Sequence, residues 1–79
     1  MGNARVPLDE RPELVCSIAA ILGKKNGRHA SLYWHGLAKR LMRLSIAFGV
    51  SREAAEAELR RLLHVVLREI NRRELAPRT

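Results

Sequence analysis

Apolar side chains recur every three or four residues along three stretches of the chain. Each stretch is bounded by residues that start or stop helices. Leu14, Val15, Ile18, Ala19, Ile21 and Leu22 make the first stripe. Asp9 is placed to cap its start, and Pro12 is tolerated in a first turn. Glu10 and Glu13 stand where a helix dipole is positive. Gly23 offers a stop, and Lys24-Lys25-Asn26-Gly27 reads as a polar turn. The spacing predicts a second helix from about His29 to Phe48. At about 100° per residue, one side of it gathers Tyr33, Trp34, Leu37, Ala38, Leu41, Leu44 and Phe48. The other side gathers His35, Gly36, Lys39, Arg40 and Arg43, with Ile46 out of place among them. Gly49 suits a left-handed helix stop, Ser51 an N-cap, and Glu53 the first turn of a third helix. That helix is expected from about Arg52 to Leu75, ahead of Pro77.

The fold class expected is all-α: three helices, the short N-terminal one packed on a longer antiparallel helical hairpin. A flexible arm is expected over residues 1–10, one helical domain over 11–75 and a tail over 76–79.

The third helix carries more apolar surface than its neighbours need. Leu59, Leu62, Leu63, Val65, Val66, Leu67 and Ile70 cover an arc of roughly 200°. Two arrangements answer an arc that wide. Either this helix packs both inside its own chain and against a second copy, or the other two helices straddle it. The first is the reading adopted: a homodimer with Leu59, Leu62, Leu63, Val66 and Ile70 at the dimer or partner interface. Size argues the same way, since a chain of 79 residues buries little surface and Cys16, the only cysteine, forbids an internal disulfide.

Composition adds a charge asymmetry. The formal net charge is +7, from 15 basic and 8 acidic residues. No acid lies between Glu13 and Glu53, while Lys24, Lys25, Arg28, Lys39, Arg40, Arg43 and Arg52 all do. The Lys24/Lys25/Arg28 turn and the Lys39/Arg40/Arg43 face are therefore the candidate nucleic-acid or anion contacts. Such a surface attracts phosphate, acidic protein or anionic lipid, or serves only to keep a small protein soluble. The third helix instead offers Glu56 and Arg60 as an i,i+4 pair.

A helix-turn-helix is the sharpest nucleic-acid motif to weigh. Gly49 would let two helices meet, Val50 would plug their angle and Ala55 would allow close approach. Against it, Ser45 stands where a small apolar residue is usual and Glu58 where a branched aliphatic is needed. Glu53 and Glu56 would also meet phosphates at the reading end. Gly23-Lys24-Lys25-Asn26-Gly27-Arg28 is a basic turn without the Lys-Ser/Thr of a P-loop. His29, His35 and His64 share no metal-ligand spacing and read as solvated. Cys16, inside an apolar stripe, reads as core, and so do Tyr33 and Trp34, whose other role would be a partner-binding anchor. No nucleophile–base pair, paired carboxylates or cofactor fingerprint is present, so no catalytic, cofactor-binding or metal residue is assigned. The N-terminal ten residues hold no apolar run of a secretory signal, and the longest uninterrupted apolar run, Ile18 to Leu22, is too short to span a bilayer. A cytoplasmic protein without membrane insertion is expected, in keeping with one free thiol.

Asn26-Gly27, Ala30, Tyr33-Trp34, Leu37, Leu41, Gly49-Val50-Ser51, Glu58, Val66 and Glu69 together resemble a family of small uncharacterised all-helical proteins, a domain of unknown function, found in rhizobia and related alphaproteobacteria. The resemblance covers about residues 20–73. It implies an all-helical fold and a bacterial host, and no activity or functional residue. The function expected is non-enzymatic: a small regulatory or adaptor module acting through protein–protein interaction, without cofactors. The alternative is a basic nucleic-acid-binding protein.

Overall fold

The computed structural model describes residues 6–75, and their regular secondary structure is entirely helical. A single 3-10 turn, Leu8–Glu10, leads into α1 (Pro12–Leu22), α2 (Gly27–Ala47) and α3 (Arg52–Leu75). Pro12 opens α1 because its missing N–H is one of the four that a helix start leaves unbonded. Arg11, in extended conformation, is the N-cap and gives no side-chain cap bond. The expected Asp9 cap is thus corrected. Asp9 lies too early, inside the 3-10 turn, and turns its Oδ1 inward to face Arg61 Nε at 3.8 Å. Gly23 ends α1 in the right-handed region, at φ −65°. The left-handed glycine of this connection is Gly27, at φ +53°, so α2 starts two residues earlier than the spacing predicts. At the other connection the chain behaves as read. Gly49 stops α2 at φ +93°, and Ser51 Oγ accepts the Ala54 N–H at 3.2 Å, an N-cap bond.

The core forms where α3 lies between its two neighbours. Val15, Ile18, Ala19 and Leu22 of α1 close one flank, with Leu8 beside them. Tyr33, Trp34, Leu37 and Leu41 of α2 pack against the same cluster while staying partly open. At the centre, Leu62 and Val66 are fully buried and Leu59 and Ala55 nearly so. α1 and α2 touch each other little. The helices therefore straddle α3, the arrangement set aside at the level of sequence. This corrects the expected seam: Leu59, Leu62 and Val66 are covered by their own chain and leave nothing for a second copy to bury, while Leu63 and Ile70 stay half-buried.

Residues 6–10 also depart from the expected loose arm. Leu8 is buried in the core, and its backbone N–H donates to Glu58 Oε2 at 2.9 Å across fifty positions of sequence. Glu58 itself is only 5% exposed. A carboxyl group taken that far from water needs hydrogen bonds, and a main-chain N–H from a turn docked on α3 supplies one. The part of the expected arm over residues 1–5, and the tail over 76–79, lie outside the described residues.

Along α2 the inward line shifts from the expected stripe. Its one buried residue is Ser45. A step of one residue turns a helix by about 100°, so the same rotation that buries Ser45 carries Leu44 outward. Leu44 is 55% exposed and Phe48, one turn further, 78% exposed. Both were expected inside. The fold is thin, 45 × 30 × 15 Å along its principal axes, with a radius of gyration of 13.8 Å. About 12 Å is typical of a compact chain of this length. A small core and uncovered apolar side chains are two sides of that shape.

Leu62→Ala is expected to lower the unfolding free energy by about 2–5 kcal/mol, because it leaves a cavity between three helices. Leu67→Ala, on the open side of α3, should cost under about 1 kcal/mol. Urea denaturation of both variants checks this. Equal losses would mean that α3 is not centred on Leu62.

Candidate functional site

The six basic residues singled out from the sequence are all exposed. Lys24 and Lys25 sit in the α1–α2 connection, Arg28 in the first turn of α2, and Lys39, Arg40 and Arg43 further along that helix. Lys39 and Arg43 fall within about 60° of Arg28 on the helical wheel. Fifteen positions separate Arg28 from Arg43, so the three mark a ridge about 22 Å long. Arg40 lies roughly 60° further round. Within the described residues none of the six makes an ion pair. Lys25 alone has a partner of another kind, with its Nζ 5.6 Å from the centre of the Tyr33 ring, a cation–π contact.

Four cations of α3, Arg52, Arg61, Arg72 and Arg73, are instead paired with acids. Arg52 Nε lies 3.8 Å from Glu56 Oε2, so Glu56 pairs one turn back and not forward with Arg60 as the spacing suggested. Glu69 takes two guanidiniums. Arg72 donates Nε to Oε1 at 3.1 Å and Nη2 to Oε2 at 2.7 Å, and Arg73 Nε reaches Oε2 at 2.8 Å. These hydrogen bonds, Arg72 first and Arg73 next, hold the Glu69 carboxyl down at about 2 from an ordinary 4.5. Unpaired positive charge is left along α2 and the turn before it, and at Arg60 and Arg68 of α3.

Uncovered apolar surface forms several recesses, two of them along α2. One runs between α2 and α3. Trp34, Met42, Leu59 and Leu63 line a stretch of about 300 Å³, with Glu56 and Arg60 on its rim. Beyond Trp34 and Leu63 it continues past Leu67 and Ile70 into a second stretch of about 390 Å³. The other recess, about 440 Å³, is walled by Leu8, Arg11 and Leu14 from the N-terminal side and by Leu41, Leu44, Ser45 and Phe48 from the end of α2. No residue of α3 lines it.

Tyr33 and Trp34 are half-buried, packed on the core along one side. Trp34 opens its other side to the α2–α3 groove, so it is both core and groove wall. Cys16 is exposed, contrary to its expected place in the core. It lies on the α1 surface because the inward line runs through Val15, Ile18, Ala19 and Leu22. His29, His35 and His64 are exposed. Among the described residues no three His, Cys, Asp or Glu side chains are grouped to hold a metal ion. None of their helices is long and apolar enough to cross a membrane. Ser45 and Glu58, the two residues that fit a helix-turn-helix badly, are both buried. Glu53 and Glu56 stand exposed at the start of α3, where such a motif would meet phosphates.

A family model matches residues 6–79. The chain belongs to DUF6074, a family of unknown function. No curated protein and no solved structure matches it. The DUF6074 match takes in the 3-10 turn and all of α1 as well as the α2–α3 stretch that carried the resemblance. That N-terminal part supplies what the sequence reading missed in this DUF6074 chain. Leu8, Arg11 and Leu14 wall one side of the 440 Å³ recess. The signal for it was present in Glu58: an acid amid the apolar positions of α3 must find a hydrogen-bond donor when it is buried.

Glu69 gives a pH prediction. Its folded-state value lies below the ordinary one, so its contribution to stability is complete above pH 4.5 and is lost as pH falls toward about 2. A carbon-13 NMR titration should place the Glu69 midpoint near 2, and Glu69→Gln should remove that part of the acid sensitivity. A midpoint near 4.5 would mean that Arg72 and Arg73 do not close on it in solution.

Proposed function

We propose that this protein is a non-enzymatic helical binding module of the regulatory or adaptor kind, acting as a homodimer through protein–protein contacts. The observation that supports it is the apolar groove along the α2–α3 pair, an antiparallel hairpin in this reading. Its two stretches share Trp34 and Leu63, and Met42, Leu59, Leu67 and Ile70 add to their apolar lining. From Leu59 to Ile70 it follows α3 for three turns, about 16 Å. That length suits the apolar stripe of a partner's amphipathic helix, which anchors at i, i+3, i+4 and i+7. The half-open indole of Trp34 is the anchor point, since large aromatic side chains dominate such contacts. The ridge on α2 steers an acidic partner toward the groove and raises its association rate.

Leu67→Asp tests the groove, because Leu67 is 49% exposed and the substitution leaves the core untouched. A host protein retained by the wild type and lost from Leu67→Asp, with helix content unchanged, is the expected result. Identical capture by both removes the groove from the reading. Trp34 is the only tryptophan, so its emission should move to shorter wavelength when a captured partner is added back.

The second reading is favoured by the unpaired charge itself. Lys24, Lys25, Arg28, Lys39, Arg40 and Arg43 would contact phosphates along a nucleic acid. Counterion release then makes log K fall with log salt, at a slope near −0.9 for each phosphate neutralised on duplex DNA. Titration of labelled duplex DNA and of RNA between 50 and 200 mM salt separates the two readings, at roughly those concentrations. A steep slope that flattens in Lys39→Glu/Arg43→Glu supports nucleic acid. No binding at the low-salt end discards it.

A further inference from the structure

We propose that the outer face of α2 rests on an anionic phospholipid bilayer, with Leu32 and Ile46 reaching to headgroup level between Arg28, Lys39 and Arg43. This goes beyond the groove, since it assigns the opposite side of the helix.

Arg28 and Ile46 stand eighteen positions apart, which is five turns, so they share one line along the helix about 27 Å long. Leu32, Lys39 and Arg43 fall within about 60° of that line. Trp34, which opens on the groove, lies roughly 150° from the middle of this sector. All five side chains of the sector are exposed. Leu32 is 61% exposed and Ile46 46%. Each has a cation about one turn before it: Leu32 follows Arg28 at i+4, and Ile46 follows Arg43 at i+3. The core uses neither, because α2 packs inward through Tyr33, Trp34, Leu37 and Leu41. A face that only kept the protein in solution would have no use for two branched aliphatics on its most cationic line.

Charge, chemistry and shape select a lipid surface. All eight acids of the chain lie outside residues 14–52, so α2 carries none. Its cations make no ion pair within the described residues. The face is therefore complementary to a negative surface, and each cation brought close to an anionic leaflet strengthens binding about fivefold. Phosphates of a nucleic acid would pair with those cations but leave Leu32 and Ile46 with nothing apolar to meet. The headgroup boundary of a bilayer takes both. Cationic heads reach the lipid phosphates while their stems and the aliphatic side chains lie lower. None of the five lines the recesses along α2, so the face is a ridge. A bilayer yields to a ridge, whereas a folded partner would need a groove to match it. Among the described residues no helix is long and apolar enough to cross a membrane, so the contact is adsorption along the surface.

Flotation of the full chain with lipid vesicles tests the contact. Vesicles of equal parts phosphatidylcholine and phosphatidylglycerol should carry the wild type, and vesicles of phosphatidylcholine alone should not. Leu32→Ser/Ile46→Ser keeps every charge, leaves the core untouched and should bind the mixed vesicles at least about fivefold more weakly. Emission from Trp34 should stay where it is when mixed vesicles are added, because the groove faces away from them. Circular dichroism checks that the variant is folded. A wild type that floats with neither kind of vesicle overturns the proposal. So does a folded Leu32→Ser/Ile46→Ser that floats like the wild type, since the ridge would then act by charge alone. Duplex DNA that strips the wild type from mixed vesicles overturns it in favour of nucleic acid. A shift of Trp34 emission to shorter wavelength moves the contact to the groove and overturns the ridge.

Discussion

Leu62 and Val66 lose all contact with water only because α1 and α2 approach α3 from two sides. That double coverage is the constraint from which the other features follow. A chain of this length has apolar surface for one small core, and here α3 takes the centre of it. α1 spends its four inward residues on one flank of α3. α2 covers the other flank with side chains that remain half open. Neither outer helix is then available to close the groove at Leu63 and Leu67, which stays on the surface.

The buried polar residues follow the same geometry. Glu58 lies on the inward side of α3, where a carboxyl group is costly unless hydrogen-bonded. Docking of the Leu8–Glu10 turn brings it the Leu8 N–H. That bond and the burial of Leu8 support each other, and together they extend the fold toward its N-terminus. Ser45 does the corresponding thing on α2. Its small side chain sits inward with little volume, and the rotation that places it there exposes Leu44 and Phe48. A polar residue inside and two large apolar residues outside is the reverse of what burial alone favours.

Electrostatics divide along the helices in the same way. α3 carries both acids and bases, and Arg52, Arg72 and Arg73 find acidic partners within a turn. α2 has no acid, and its cations face solvent in a row. α2 is therefore the helix whose charge is all of one sign, and it also borders both apolar recesses.

Three helices, their approximate ends, the Gly49 stop and the Ser51 cap were all legible in the sequence, because each depends on contacts within a few residues. The basic middle segment was legible for a plainer reason, since long cationic side chains stay in water wherever the chain goes. What covers the wide arc of α3 was not legible, because a periodic stripe records that a face is apolar and not which surface meets it. The same limit hid the outward turn of Leu44 and Phe48, where a rotation of one residue position separates core from surface, and the exposure of Cys16. Glu58 was readable as an oddity, but its donor lies fifty positions away and only the packed chain brings the two together. Local periodicity, capping and charge order belong to the sequence. The choice of the covered face belongs to the tertiary structure, because three helices share too little core to bury every apolar stripe and packing alone decides which stripe is left out.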